Sequence, residues 1–154
     1  MGTHDTDKQA VIEIENLGFS WMPGSDPLLN IARLQVMRGE RVFLRGPSGS
    51  GKSTLLSLLA GVNQVQSGTL KVIGEDMGSL SSAKRDHFRS DHIGFIFQMF
   101  NLIPYLSVTE NVVLPCRFSD KRKHKVLSGA ESLEQEAIRL LEHLDMAQGE
   151  LLHK

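Results

Sequence analysis

At 154 residues the chain has the length of one compact domain, or of a piece of a larger one. Its 40% hydrophobic and 23% charged residues exclude a disordered or low-complexity segment. The formal net charge of −1 excludes a broad electrostatic pull on nucleic acid or anionic lipid, and the single cysteine, Cys116, excludes an internal disulfide and any multi-cysteine metal site. A reducing compartment is the simplest reading of that cysteine count.

Residues 1–10 form a polar tail without the basic start and apolar core of a secretory signal. No apolar run approaches the roughly 20 residues that span a bilayer. Met1-Gly2 with Thr6 formally matches a myristoylation pattern, which we read as a chance match because the pattern is short. Residues 11–17 (VIEIENL) alternate apolar and polar and predict a strand with one covered face. The prolines and glycine of 20–27 (SWMPGSDP) predict a loop. Residues 31–37 and 41–45 (RVFLR) then read as two strands joined at Arg38-Gly39-Glu40. After a glycine-rich stretch, 52–60 (KSTLLSLLA) predicts a short apolar helix ended by Gly61, and 69–73 another strand.

Residues 82–90 read as a polar surface helix and 92–97 (HIGFIF) as a buried strand. Ser107 and Glu110 have capping-box spacing and open a helix that Pro115 should stop. Ser128 and Glu131 repeat the spacing ahead of the longest predicted helix, 129–147, where Leu133, Ala137, Leu140, Leu141 and Leu144 share a face. Between these helices, 120–125 (DKRKHK) reads as a solvated loop rather than a lipid or nucleic-acid contact, since nothing aromatic is interleaved with it. Strands followed by a block of helices predict an α/β core carrying a helical insertion.

The chemistry lies in the glycine-rich stretch. Gly46-Pro47-Ser48-Gly49-Ser50-Gly51-Lys52-Ser53 matches G-x-x-x-x-G-K-[ST] at every fixed position, with Thr54 following. Its glycines let successive backbone N–H groups turn inward toward phosphate oxygens, and the helix that follows presents the positive end of its dipole. Lys52 supplies a point charge for the outer phosphates, and the Ser53 hydroxyl is placed to ligate magnesium. The ligand expected is therefore a nucleoside triphosphate, ATP with Mg2+. A small GTPase would need an Asn-Lys-x-Asp base-reading motif, which is absent, and the lid arginines of a small-molecule kinase are not identifiable.

Residues 46–56 together with 93–115 (IGFIFQMFNLIPYLSVTENVVLP) resemble ABC-transporter ATPase subunits, in the branch serving lipoprotein release and macrolide or peptide export. The resemblance runs over nearly the whole chain from Val11. It implies a P-loop NTPase core of ABC type with antiparallel strands at its N-terminus over 11–98, then a Q-loop and a partial helical subdomain over 99–154. It makes Gln98 the Q-loop glutamine, reaching the magnesium or the attacking water and sensing the membrane subunit. The segment ENLGFSW resembles the family stretch ending in an adenine-stacking aromatic, which falls on Trp21; Phe19 is the competitor, with core packing as its expected role. The partners implied are a second ATPase subunit and membrane-spanning permease subunits, with no nucleic acid. The place implied is the cytoplasmic face of a membrane.

The family also uses an LSGGQ-type signature, an aspartate-ended Walker B strand, a catalytic glutamate and a switch histidine. Leu127-Ser128-Gly129-Ala130-Glu131 is only superficially like the signature, and no run of four apolar residues followed by Asp-Glu occurs. The six histidines are scattered and none forms an H-E-x-x-H site. The resemblance thus implies the front part of an ATPase, not hydrolytic alone, with an incomplete sheet whose parallel strands lack neighbours. Two alternatives stay open: a naturally short, non-catalytic nucleotide-binding or interaction module, and a soluble ABC-type ATPase acting on nucleic acid.

Overall fold

A computed structural model describes residues 9–97 and 101–146. Gln98 and the Met1-Gly2 acylation pattern lie outside the described residues. The chain divides into two compact units, Met1–Asp86 and His87–Lys154.

The first unit is built on an antiparallel sheet of β1 (Ala10–Phe19), β2 (Leu29–Met37), β3 (Ser67–Val72) and β4 (Glu75–Asp76), in the order β2-β1-β3-β4. Period-two alternation would bury Ile12, Ile14 and residue 16, but position 16 is asparagine. A bulge resolves the conflict. The β1–β3 register shifts between Glu15 and Gly18, and Asn16 takes a φ of 49°. The extra residue turns Leu17 and Phe19 to the same side as Ile14, and all three are buried. Gly68 faces the bulge at φ 77°, where a Cβ would lie 2.2 Å from the Asn16 carbonyl oxygen. The β3–β4 hairpin was not anticipated; Ile73 and Gly74 both have positive φ, as a tight two-residue turn requires.

Helix α1 (Lys52–Leu59) contributes Thr54, Leu55 and Leu58 to this core. Its C-terminus closes with two reverse bonds: the Val62 N–H donates to Ser57 O and the Gly61 N–H to Leu58 O. Gly61, at φ 68°, makes that geometry cheap.

The predicted strand at 41–45 is not formed. Residues 41–47 run without a strand partner, and Val42 and Phe43 stand 54% and 87% exposed. The predicted strand at 92–97 fails in the same way: His92 ends α2 (Ser82–His92), residues 93–97 have no regular structure, and Ile96 is 97% exposed. Apolar content suits a segment to a buried parallel strand, but a ladder forms only where a second strand supplies hydrogen-bond partners. The sheet is open, as the sequence implied.

In the second unit Ser107 accepts from the Glu110 N–H and the Glu110 carboxylate accepts from the Ser107 N–H, the full capping box of α3 (Val108–Arg117). Pro115 does not stop this helix. It lies inside, and the helix ends two residues later at Arg117, where only one lost bond must be tolerated. Residues 120–125 are helical, not loop. Ser119 caps α4 (Asp120–Leu127) by accepting from the Arg122 N–H. Ser128 is therefore the C-terminal cap of α4 and opens nothing. The next helix, α5 (Leu133–His143), starts at Ser132, whose hydroxyl accepts from the Gln135 N–H. Ala137 and Leu141 are buried and α5 packs on α3, whereas Leu140 and Leu144 are 43% and 65% exposed, so the covered stripe is narrower than predicted.

The ends of α2 and α4 cap each other within this unit. Arg122 donates through Nε to Ser90 O and through a terminal nitrogen to Ile93 O, covering carbonyls at the end of α2. In return Asp91 accepts from the buried Ser119 hydroxyl at 2.6 Å, which brings a carboxylate to the start of α4. That hydrogen bond, with minor help from His87, His92 and Lys121, holds the Asp91 carboxyl below the usual carboxylate range.

Candidate functional site

The predicted phosphate loop lies wholly in the first unit. It enters on the unpaired stretch 41–47, so the strand expected before it is absent, while the helix expected after it is present. Gly49 and Gly51 hold φ near +80° and +86°, values that favour glycine. Gly51 is also packed tight: a Cβ there would lie 2.6 Å from Leu29 Cδ2.

Gly51 caps α1 without any side-chain hydrogen bond, and no acidic residue sits in the first turn. The amides of Lys52, Ser53 and Thr54 thus begin a helix whose positive end is neutralised by no carboxylate of its own turn. The Lys52 ammonium folds over the loop, donating to Gly46 O at 2.8 Å and Pro47 O at 2.7 Å, with Ser50 Oγ at 3.4 Å. It stands among the loop atoms on a flexible stem and can exchange these carbonyls for an anion. Ser53 is exposed at the same helix end.

Trp21 reaches the site from the β1–β2 loop. The Gln66 side chain grips the Ser20 backbone from both directions, accepting from its N–H and donating to its carbonyl, each at 2.8 Å. Downstream, Ser25 closes a turn onto Met22 O. Phe19 is buried and stands edge-on to Trp21, ring centroids 5.1 Å apart, while Trp21 is 63% exposed. Trp21, Leu28, Ser48, Gly49, Gly51, Lys52, Ser53 and Thr54 line one cleft of about 530 Å³, a volume within the ordinary range for small-molecule sites.

The structure therefore brings Trp21 to the same cleft as the second half of the loop. Gly46, Pro47 and Ser50 line the neighbouring hollow of about 430 Å³, together with Arg45 and Leu55. Sequence reading missed Leu28, which borders both spaces; its only signal was an apolar residue directly after Pro27 at a loop end. The residues suit a magnesium nucleotide better than a bare ion. Among the described residues no group of three or more His, Cys, Asp or Glu could hold a metal, so a cation would have to arrive with its phosphates and find the Ser53 hydroxyl. Gln98, the other expected ligand, lies outside the described residues. No helix among the described residues is long and apolar enough to cross a membrane.

The chain is similar to known proteins over most of its length. An ATP-binding cassette solved as a dimer in a post-hydrolysis state with ADP and Pi, MJ0796, superposes with a TM-score of 0.75 at 31% identity, over 93% of this chain and 61% of that one. The ABC transporter ATP-binding protein YbbA of Escherichia coli K12, itself uncharacterised, is 38% identical over 125 residues, 80% of this chain and 55% of its own length. The lipoprotein-releasing system ATP-binding protein LolD of Zymomonas mobilis is 36% identical over 125 residues, 80% of this chain and 54% of its own. The chain thus spans little more than half the length of these relatives. The family profile described as ABC transporter matches residues 29–152, and the chain belongs to that family.

Proposed function

We propose that this chain is the ATP-gripping part of an energy-coupling subunit in an ABC-type exporter. The observation that carries the reading is the cleft that joins Trp21 to Ser48, Gly49 and the uncapped start of α1. Backbone amides of the loop and of α1 would receive the phosphates, with Lys52 beside them as a mobile cation and Ser53 as the hydroxyl for magnesium. There the Ser53 hydroxyl would hold magnesium, whose charge would offset that of the outer phosphates. Trp21, braced edge-on by Phe19 and held from behind by the Gln66–Ser20 pair, would stack on adenine. Gln98 is proposed as the Q-loop contact on resemblance alone.

Hydrolysis by these 154 residues alone is proposed to be negligible, because no apolar run ending in Asp-Glu occurs to hold magnesium from its second side and position water. A second ATPase subunit and membrane-spanning permease subunits would complete the machine, on the cytoplasmic face of the membrane. MgATP binding, followed by calorimetry and by Trp21 fluorescence, tests the reading. Lys52→Ala should abolish binding and Trp21→Ala should weaken it. Binding indifferent to Lys52→Ala overturns the phosphate assignment, and phosphate release above the Lys52→Ala background overturns the inactivity.

A further inference from the structure

We infer that α4 is a docking surface for an anionic lipid bilayer. Four of its eight residues are lysine or arginine, Lys121, Arg122, Lys123 and Lys125, with His124 among them. Arg122 points inward and is consumed by Ser90 O and Ile93 O, but Lys121, Lys123, His124 and Lys125 are exposed, and the helix buries none of its residues. Among the described residues no carboxylate forms an ion pair with Lys121, Lys123 or Lys125; the Lys121 ammonium stands 3.5 Å from His92 and feels the Asp91 carboxylate only at longer range. The single acid of the helix, Asp120, sits in its first turn. Because the chain as a whole carries a net charge of −1, this positive field is local to α4.

The apolar residues at its two ends choose the partner. Phe118, just before the capping Ser119, is 67% exposed, and Leu127, at the last turn, is 40% exposed. Lysines flanked by an exposed phenyl ring and an isobutyl group are the composition of an interfacial helix: the cations meet headgroup phosphates and the apolar ends enter the acyl boundary. A nucleic-acid groove would need cations tracking several nucleotides and aromatics spaced among them, and α4 is only about 12 Å long with Phe118 outside both the helix and the basic run. The helix is preformed, because Ser119 caps its start and Arg122 ties it to the end of α2. Binding therefore pays little ordering cost.

Sedimentation of the full chain with lipid vesicles tests this directly. Phosphatidylcholine vesicles with about 30% phosphatidylglycerol should retain the protein and pure phosphatidylcholine should not, with binding falling steeply as salt rises from about 0.1 M to about 0.5 M. Each lysine removed should weaken binding about fivefold, so the triple variant Lys121→Gln, Lys123→Gln, Lys125→Gln should lose about 100-fold. The matching triple arginine variant should bind as the parent does, and it keeps the test sharp if the glutamine variant folds poorly. Phe118→Ser should weaken binding without changing its salt slope. Lys52→Ala should bind vesicles unchanged, which separates this surface from the nucleotide site. Equal binding to both vesicles, none to either, or a stronger preference for single-stranded nucleic acid than for the anionic vesicles would overturn the inference.

Discussion

Replacing Gly51 by alanine probes the loop at the point where two constraints meet, and Gly49 supplies the control. Both glycines have φ between +80° and +86°, so an alanine at either position carries the left-handed penalty, about 1–2 kcal/mol. At Gly49 nothing lies within 4 Å of the new methyl group. At Gly51 the methyl would stand 2.6 Å from Leu29 Cδ2 and 3.5 Å from Leu28 O. Leu29 is 7% exposed and has little room to retreat, so overpacking adds about 1–3 kcal/mol. Gly51→Ala should therefore cost about 2–5 kcal/mol and Gly49→Ala about 1–2 kcal/mol. Urea titration followed by far-ultraviolet circular dichroism measures both. The excess should shrink in a Leu29→Ala background, because the clashing carbon is then gone, and this coupling is the specific signature. Equal costs at the two glycines, or an excess that Leu29→Ala leaves intact, would refute the packing argument.

Gly68→Ala should cost more, about 3–5 kcal/mol, because its methyl would meet the Asn16 carbonyl, which is backbone and cannot rotate aside; a urea midpoint close to that of the parent would disprove the bulge geometry. Acid should weaken the second unit through Asp91 and Glu110. Asp91 is held low by the Ser119 hydroxyl, and Glu110 by the Ser107 backbone N–H and then the Ser107 hydroxyl. A depressed folded-state pKa gives stability that is complete above the unfolded-state carboxylate pKa and lost as pH falls through the folded one. The stability gap between the parent and Ser119→Ala should accordingly narrow on acidification from neutral pH, leaving the part that belongs to the lost α4 cap; a gap independent of pH would refute the contribution of the Ser119–Asp91 hydrogen bond.

Motifs that work through nearest neighbours in the chain were legible before any fold was known. The phosphate loop, the Gly61 helix end and the Ser107–Glu110 capping box each depend on a few adjacent residues, and their chemistry is written in the residue types. Readings that needed distant partners fared differently. RVFLR and HIGFIF are apolar enough for buried strands, yet a strand exists only where a second one supplies its hydrogen bonds, and none among the described residues does so. The DKRKHK stretch failed for a related reason. Its charges argue for a loop, but a cap from Ser119 and carbonyl partners 29 and 32 residues away through Arg122 make a helix of it.

The sequence by itself determined the P-loop pattern, because glycine, lysine and serine at fixed spacing supply backbone donors, a cation and a hydroxyl suited to phosphate whatever the surrounding fold. It also carried the resemblance that its family match bears out. Only the tertiary structure decided which cleft that loop lines. Gln66, 46 residues beyond Ser20, fixes the loop that sets Trp21 and Leu28 beside the start of α1. Long-range contacts of that kind close over many residues at once, and no local pattern encodes them.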